Sequence, residues 1–306
     1  MRILFILFTL TLLCLAAEPI IPIPQQIPYD KKKALLGREL FFDTLLSKDN
    51  SVACINCHNI YNGGADARPV SRGFNGKKGN IQAPTVLNAV FNFRQFWNGR
   101  AADLYEQADG PLNNPVEHNM TPALIEQRLK ANAHYAKVFS SLYKDGITYK
   151  NAVDAIVEFE KALITPNSKF DLFLQGKATL TNKEQKGYRL FKQLGCISCH
   201  NGRNVGGNSF AKIGMFTPYK STKEYPDRYA LTHDPLDKNV FKVPTLRNIA
   251  LTAPYFHDAS RKTLKDAIEA MGFYNLGLEL EKEEIDAIEA FLKTLTGKLP
   301  EIAYVE

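Results

Sequence analysis

Apolar side chains recur at helical spacing in two long stretches of this chain, near residues 148–163 and 281–296. A third stretch begins with Thr181-Asn182-Lys183-Glu184, the arrangement of a capping box that starts an α-helix. The two apolar faces are formed by Ala152, Ile156, Val157 and Leu163, and by Ile285, Ile288, Leu292 and Leu295. Together these patterns predict a mainly α-helical protein.

Two other stretches, 62–84 and 201–244, lack such periodicity and contain many Gly and Pro residues, so we expect them to form long irregular loops. Thr165-Pro166-Asn167 ends the first periodic segment and indicates a domain boundary close to residue 165. We therefore predict an N-terminal domain over 18–165 and a C-terminal domain over 166–306. We also expect the last residues of the chain to pack back on the first domain.

The first 17 residues have the pattern of a secretory signal peptide. Arg2 precedes an apolar run over 3–15, and Ala16-Ala17 provide the small residues of a cleavage site. The run is shorter than the ~20 residues that span a bilayer. We therefore predict cleavage after residue 17, a periplasmic location, and no membrane span in the mature chain.

The two halves of the chain repeat each other in order, which predicts that they arose by tandem duplication of one unit. The matching pieces are Leu40-Phe41 with Leu190-Phe191, Gly63-Gly64 with Gly206-Gly207, and Ala83-Pro84-Thr85-Val86-Leu87-Asn88 with Val243-Pro244-Thr245-Leu246-Arg247-Asn248. Trp97 and His257 each follow the matched threonine by 12 positions, since 97 minus 85 equals 257 minus 245.

Each half also contains one Cys-x-x-Cys-His motif, at Cys54-Ile-Asn-Cys57-His58 and at Cys196-Ile-Ser-Cys199-His200. In this motif the two thiols attach one haem covalently, and the adjoining His provides an axial ligand of the iron. A zinc site or a thioredoxin-like dithiol would not need the His in both copies. The sequence therefore predicts two covalently bound haem c groups.

Composition narrows the function only slightly. Of five cysteines, Cys14 lies in the predicted signal peptide and the other four are in the haem motifs, so we expect no disulfide. The formal net charge is +6, but it omits the haem propionates, and the lysines are scattered. We expect a solvated basic surface that could dock an acidic redox partner, and no binding of nucleic acid.

The duplicated halves differ at the position that could supply the second axial ligand. In the second half, residues 264–271 read as a helix that ends in Met271, whereas the equivalent position in the first half is Pro111, which cannot bind iron. Ordinary core packing is the commoner role of a helical Met. A His/Met iron suits electron transfer, so we predict that the second haem is closed and that the first is open to a small molecule such as peroxide.

Asn113-Asn114-Pro115-Val116-Glu117 brings a carboxylate to the predicted open side of the first haem. Cleavage of peroxide needs a group that takes a proton from one oxygen and returns it to the other. We predict that Glu117 has this role and that the Gln107 amide orients peroxide or water. His118 could serve instead, but neighbouring side chains tend to diverge.

The chain resembles the bacterial dihaem cytochrome c peroxidase family over nearly all of its mature length. The residues that carry the resemblance are Ala83-Pro84-Thr85-Val86-Leu87-Asn88-Ala89, Gln95-Phe96-Trp97-Asn98-Gly99-Arg100-Ala101, Gly110-Pro111 with Pro115-Val116-Glu117, and Pro254-Tyr255-Phe256-His257. The resemblance implies a periplasmic homodimer that reduces hydrogen peroxide with electrons from a small cytochrome c or a cupredoxin.

The resemblance also implies a role for individual residues. His58 would ligate the peroxidatic haem, whose distal pocket Glu117 and Gln107 would line. His200 and Met271 would ligate the electron-entry haem, and Trp97 would lie between the two. One calcium ion is expected between the domains, at Gln82, Thr252 and Pro254.

Two positions depart from the family pattern. Phe74 stands where many members have a loop His that caps the resting peroxidatic iron, which predicts an enzyme without that switch. Gln82 replaces an Asn that is usual at the calcium site. Two other hypotheses remain open: a dihaem oxidase that matures a partner protein, which uses Tyr at the position of Met271, and a non-catalytic dihaem electron carrier.

Overall fold

The computed structural model describes residues 18–221 and 224–304, and this part of the chain is mainly α-helical, as predicted. The predicted signal peptide and Cys14 lie outside the described residues. The helices are α1 (Lys31–Phe42), α2 (Leu104–Asn113), α3 (Pro122–Ala131), α4 (Ala133–Leu142), α5 (Tyr149–Ala162), α6 (Lys169–Leu174), α7 (Asn182–Gln193), α8 (Tyr229–Thr232), α9 (Leu264–Met271) and α10 (Lys282–Lys293). The two strands are β1 (Phe210–Lys212) and β2 (Val240–Lys242).

The three helices predicted from periodicity and capping are confirmed as α5, α7 and α10. The Thr181 hydroxyl accepts a hydrogen bond from the Glu184 backbone N–H, and the Glu184 carboxylate accepts one from the Thr181 N–H. Both bonds of the predicted capping box are therefore present. Among the described residues no helix is long and apolar enough to cross a membrane.

Each half is built around two helices that touch backbone to backbone. A Cβ added to Gly37 of α1 would lie 1.8 Å from the Ala155 carbonyl oxygen of α5. A Cβ added to Gly187 of α7 would lie 1.9 Å from the Ala287 carbonyl oxygen of α10. Glycine is thus required at both crossings, which repeat the same contact in the two halves.

The halves also have separate apolar cores. The first is formed mainly by α1, α2, α3, α4 and α5, and the second by α6, α7, α9 and α10. In the second core, Phe291 lies about 5 Å from the rings of Phe170, Tyr188 and Phe191. The end of the described chain crosses over, since Ile302 and Ala303 pack with apolar residues of the first half.

Thr165 lies where the two halves meet. Its hydroxyl accepts hydrogen bonds from the Nδ2 groups of Asn88 (2.7 Å) and Asn248 (2.9 Å), which are matched residues of the duplicated motif. Both asparagines adopt a left-handed backbone, with φ of 61° and 60°. The repeat is therefore visible in backbone conformation as well as in sequence. The exact domain boundary near residue 165 stays a prediction.

The loop 201–244 contains more order than the sequence indicated. Strands β1 and β2 pair antiparallel within it, with Phe210 opposite Lys242. Each strand has three residues, too few to show a period of two. The loop 62–84 contains short 3₁₀ turns and one isolated antiparallel bridge, between Arg72 and Lys78.

Candidate haem sites

Both Cys-x-x-Cys-His motifs fold into the same single turn. The backbone N–H of His58 donates to the Cys54 carbonyl (2.9 Å), and that of His200 donates to the Cys196 carbonyl (3.0 Å). Within each turn the two thiols lie close enough to interact electrostatically. In the described part of the chain these four cysteines are half-buried, and none forms a disulfide.

The two imidazoles are oriented in the same way. Nδ1 of His58 lies 3.3 Å from the Gly64 carbonyl oxygen, and Nδ1 of His200 lies 3.4 Å from that of Val205. A carbonyl only accepts, so the proton is assigned to Nδ1 and the lone pair to Nε2. Burial lowers the pKa of both rings, that of His200 to about 4, so both are neutral at pH 7.

The loops that supply these carbonyls come very close to the rings. A Cβ added to Gly206 would lie 2.2 Å from the Pro244 carbonyl oxygen and 3.3 Å from Nδ1 of His200. In the first half, a Cβ added to Gly64 would lie 2.9 Å from Oγ1 of Thr85. Gly206 therefore allows its loop to close behind His200, and Gly64 allows its loop to pack against Thr85.

The residues of both motifs fit haem c. Each site offers two unpaired thiols and one neutral imidazole whose Nε2 is free to bind iron, which is the donor set of a covalently attached haem. Burial raises the pKa of all four thiols, that of Cys196 to about 11. Among the described residues no group of three or more His, Cys, Asp or Glu side chains could hold a bare metal ion.

The second site includes the helix that ends in Met271. Helices α2 and α9 begin at matched positions, since Leu264 minus Leu104 is 160. Met271 is half-buried and packs in a small cluster whose buried members are Ile213, Tyr219 and Phe241. In the first half, Pro111 lies inside α2, where its carbonyl accepts a hydrogen bond from the His118 N–H. Pro111 thus offers no ligand atom at the matched position.

Glu117 lies close enough to the first motif to act on it electrostatically. Its charge contributes to the raised pKa of both Cys54 and Cys57. Its Oε1 accepts a hydrogen bond from Nδ2 of Asn114 at 2.6 Å. Burial raises the pKa of Glu117, while the Asn114 hydrogen bond and the Arg100 charge oppose that rise.

The sequence does not identify Asn114 and Arg100 as neighbours of Glu117. Asn114 and Glu117 are three residues apart, and side chains at this spacing meet on one turn. The spacing alone is therefore consistent with the contact between them. Arg100 comes from a separate loop, and nothing in its spacing from Glu117 indicates the contact. Its guanidinium lies 3.3 Å from the centre of the Phe96 ring.

Gln107 and His118 occupy different surroundings. Gln107 lies half-buried on α2, the helix that precedes the Glu117 segment. His118 is buried, and its Nδ1 lies 2.9 Å from the Leu46 carbonyl oxygen. One nitrogen of His118 is thereby engaged in holding the loop, which favours Glu117 over His118 as the proton carrier.

The loop that carries Phe74 is attached to the Glu117 segment. The Phe74 N–H donates to the Glu117 carbonyl at 2.6 Å, and Nζ of Lys77 donates to the Pro115 carbonyl at 3.1 Å. A Cβ on Gly73 would lie 2.1 Å from the Val116 carbonyl oxygen. The loop is therefore held against the residue that we expect to carry protons.

Trp97 links the halves. Its indole N–H donates to the Gln82 carbonyl at 2.8 Å, and its own carbonyl accepts from the Lys242 N–H at 2.8 Å. The Trp97 ring meets His257 edge-on at 6.1 Å. His257 is buried, stacks on Phe241 at 4.5 Å, and has an Nε2 without a hydrogen-bond partner among the described residues.

The residues expected to bind calcium lie on two connected segments. Gln82 is buried, and its N–H donates to the carbonyl of His257 at 2.9 Å, which ties it to the segment that carries Thr252 and Pro254. The Gln82 carbonyl already accepts from Trp97, so one of its two lone pairs remains.

Comparison with known proteins gives consistent matches. The family model described as di-haem cytochrome c peroxidase matches residues 31–179, and that described as cytochrome c matches residues 184–296. The chain is 46% identical over 288 residues to the cytochrome c551 peroxidase of Nitrosomonas europaea, covering 94% of this chain and 86% of that protein. It is 42% identical over 296 residues to the cytochrome c551 peroxidase of Pseudomonas aeruginosa, covering 92% and 86%.

A solved structure is also similar. It is the crystal structure of a MauG-like protein associated with microbial copper homeostasis, with a TM-score of 0.79 and 29% sequence identity. The match covers 92% of this chain and 93% of that chain.

Proposed function

The chain belongs to the di-haem cytochrome c peroxidase family and is an enzyme of that class, and we propose that it reduces hydrogen peroxide to water in the periplasm. We further propose that its electrons come from a small cytochrome c or a cupredoxin. The names of its relatives support the peroxidase reaction. The apolar run before residue 18 supports export.

Haem bound at the two motifs supplies the redox chemistry and, at the first motif, the place where peroxide binds. Reduction of one H2O2 to two H2O consumes two electrons and two protons. The protein contributes the handling of the protons. The carboxyl group of Glu117 takes a proton from one peroxide oxygen and gives it to the other, which makes the departing oxygen a better leaving group.

The surroundings of Glu117 suit this role. Because burial raises its pKa, the carboxylate holds a proton more readily than an exposed Glu would. Asn114 engages Oε1 and fixes the rotamer, which leaves Oε2 for the proton. Gln107, on α2, orients peroxide or water with its amide group. This half-buried carboxyl beside the first motif is the observation that carries the proposal.

The second half receives electrons. His200 and Met271 would hold the second haem, and a thioether ligand would raise its reduction potential. Trp97 touches strand β2 and His257 of the second half, and it hydrogen-bonds to Gln82 of the first. We place the route for electrons between the halves in this region.

One calcium ion at Gln82, Thr252 and Pro254 would stiffen the same region. The Gln82–His257 hydrogen bond supports such a site, because it joins the two segments that carry the expected ligands. We also propose that the protein is a homodimer, as the family resemblance implies.

The activity is tested by steady-state reduction of peroxide with reduced cytochrome c. We expect Glu117→Gln to lower kcat by about 10²- to 10⁴-fold, the usual contribution of a general acid–base group. Glu283→Gln, at an exposed position on α10, is the matched control and should keep full activity. Full turnover by Glu117→Gln would remove Glu117 from the mechanism, and no turnover by the unsubstituted enzyme would favour an electron carrier.

Phe74 leads to a separate prediction. Phenylalanine has no atom that binds iron, so the loop at 71–79 cannot cap the first haem as a histidine would. We expect a five-coordinate, high-spin ferric signal from the first haem of the fully oxidised protein, and activity without prior reduction. Absorption and EPR spectra measure this directly. A resting bis-His low-spin spectrum would contradict it, and Phe74→His is expected to create that spectrum.

A further inference from the structure

A segment near the start of the described chain lies against the loop that follows the second haem motif. Ile20 forms a parallel bridge with Gly202 of that loop. The Gly202 N–H donates to the Pro19 carbonyl at 2.7 Å, and the Ile21 N–H donates to the Gly202 carbonyl at 3.2 Å. Ile20 is 1% exposed, whereas Ile21 is exposed. Residues 19–23, which we call the N-terminal clasp, therefore hold this loop through backbone hydrogen bonds.

Arg247 fastens the clasp to the same loop. Its side chain is fully buried and pairs with the Asp171 carboxylate at 2.7 Å. Nη2 of Arg247 donates to the Ile21 carbonyl at 2.9 Å, and Nε donates to the Arg203 carbonyl at 2.9 Å. Asp171 also accepts a hydrogen bond from the Ile23 N–H at 3.4 Å. One buried ion pair thus binds the clasp and the loop together.

The matched position of the first half has a different residue. Arg247 corresponds to Leu87 in the duplicated motif, and leucine has no polar side-chain atom. A buried guanidinium is costly unless it is paired and hydrogen-bonded. Apolar packing alone does not require an arginine here, so Arg247 indicates a task that is specific to the second half.

The loop that the clasp holds carries a strained residue next to His200. Val205 is fully buried and has a left-handed backbone, with φ of 49°. That conformation is unusual for a β-branched residue. Gly63, which follows His58 by the same five positions, has φ of 79° without such a penalty. Strain of this kind persists only where the surrounding contacts impose it.

The Val205 carbonyl is the group that this conformation directs. It lies 3.4 Å from Nδ1 of His200 and is the acceptor that we assign to the N–H of that ring. Gly202, held by the clasp, and Arg203, held by Arg247, lie between the motif and this carbonyl in sequence. The contacts that restrain the loop therefore act directly before the residue that orients the imidazole.

We propose that Arg247 and the N-terminal clasp position the axial histidine of the second haem. They hold loop 201–205 in the conformation that aims the Val205 carbonyl at Nδ1 of His200. Arg247 is a positioning residue that acts through the loop. A histidine that donates its second N–H is a stronger ligand, which favours the oxidised iron. Releasing the clasp therefore raises the reduction potential of the second haem. The inference rests on the proposed ligation by His200 and not on the peroxidase reaction.

Ile21→Pro and Ile21→Ala form a matched pair of variants. Both change an exposed side chain, but only proline removes the N–H that donates to the Gly202 carbonyl. We expect Ile21→Pro to speed amide hydrogen exchange in loop 201–205 and to raise the reduction equilibrium constant of the second haem about threefold. Ile21→Ala should change neither. The potentials are measured by spectroelectrochemical titration of the holoprotein without peroxide, and stepwise reduction with EPR distinguishes the two haems.

Variants of Arg247 test the other attachment. Arg247→Leu introduces the residue of the first half and should raise the same constant about tenfold, which is about 59 mV for one electron. Arg247→Lys keeps the charge beside Asp171 but has one nitrogen in place of the guanidinium fork, so it should give a smaller rise. Loss of a positive charge by itself would lower the potential. A rise therefore separates positioning from charge.

The Ile21 pair decides the question by itself, since Arg247→Leu leaves Asp171 buried and unpaired and costs stability. Faster exchange in the loop with an unchanged potential of the second haem would overturn the proposal. Unchanged exchange in Ile21→Pro, or a shift confined to the first haem, would also overturn it. Haem is counted separately in the pyridine haemochrome spectrum, where fewer than two haems per chain would refute the haem assignment on which the proposal rests.

Discussion

At the scale of single residues, the first half holds a buried acid, Glu160, whose surroundings differ from those of Glu117. Glu160, on α5, is 5% exposed, and its Oε2 has no hydrogen-bond partner among the described residues. Burial alone raises its pKa to about 8. Its charge contributes to the raised pKa of Cys54, so it lies near the first haem motif. Glu160 is thus expected to be protonated at neutral pH.

This state of Glu160 predicts a dependence of stability on pH. A folded-state pKa above the unfolded value of about 4.5 favours the folded state at low pH, and the benefit is lost as pH rises through about 8. At 1.36 kcal/mol per pKa unit, the total loss is on the order of 5 kcal/mol. Glu160→Gln cannot ionise and should show a flatter profile of unfolding free energy between pH 5 and 8, measured by urea unfolding of the holoprotein.

The control for this experiment is Glu283→Gln, at an exposed position, which should keep the slope of the unsubstituted protein. Equal slopes for Glu160→Gln and the unsubstituted protein would mean that Glu160 is already ionised at pH 5.

The sequence predicts the covalent haem residues, because their spacing in one turn determines their chemistry, and the residue assignments stay a prediction. It also pointed to Glu117 through the comparison of the two halves. The environment of Glu117 was not predictable. The loop with Arg100 reaches it from another part of the chain, and the contact between Phe74 N–H and the Glu117 carbonyl joins residues 43 positions apart, 117 minus 74. Such contacts depend on how the loops fold over each other and leave no periodic signal.

At the scale of elements, the two helix crossings at Gly37 and Gly187 determine how closely α1 approaches α5 and α7 approaches α10. Gly→Ala inside a helix normally stabilises by up to about 1 kcal/mol. Here the added methyl would overlap a backbone carbonyl oxygen at less than 2 Å, so the helices must separate. The clash outweighs the gain in helix propensity.

We therefore expect Gly187→Ala to lower the unfolding free energy by about 1–3 kcal/mol or more, the usual cost of overpacking. Thermal and urea unfolding of the holoprotein measure the loss. Lys186→Ala, on the exposed side of the same helix turn, is the control and should change stability by no more than about 0.5 kcal/mol. A Gly187→Ala variant as stable as Lys186→Ala would show that the crossing can relax.

Elements differed in how well the sequence predicted them. Helices α5 and α10 were predicted from an apolar face and α7 from its capping box, and all three are present. The strands β1 and β2 have neither length nor alternation, and their pairing depends on Phe210 meeting Lys242 across a long connection. Short strands of this kind are formed by tertiary contacts and not by local preference.

At the scale of the whole molecule, Thr165 joins the halves through one oxygen atom. Its hydroxyl oxygen accepts hydrogen bonds from the side-chain amides of Asn88 and Asn248, and Thr165 is 1% exposed. Replacing it by Val keeps the shape but leaves two buried donors without an acceptor. Each such donor costs about 1–3 kcal/mol.

We expect Thr165→Val to lower the unfolding free energy by about 2–4 kcal/mol. Thr165→Ser keeps the acceptor and removes one methyl group, which should cost about 0.8 kcal/mol. Urea unfolding followed separately at haem and tryptophan signals would show whether the halves still unfold together. An equal loss in the Ser and Val variants would contradict the assigned hydrogen bonds.

The end of the described chain has a practical consequence for dissecting this molecule. Ile302 and Ala303 pack with Phe41 and Phe159, and the Ala303 carbonyl accepts from the Tyr61 hydroxyl at 2.9 Å. A fragment that contains the first half alone would leave this apolar patch bare and prone to self-association. Spectra of such a fragment would then report an aggregate. Each haem is therefore better studied in the intact chain with the other haem inactivated.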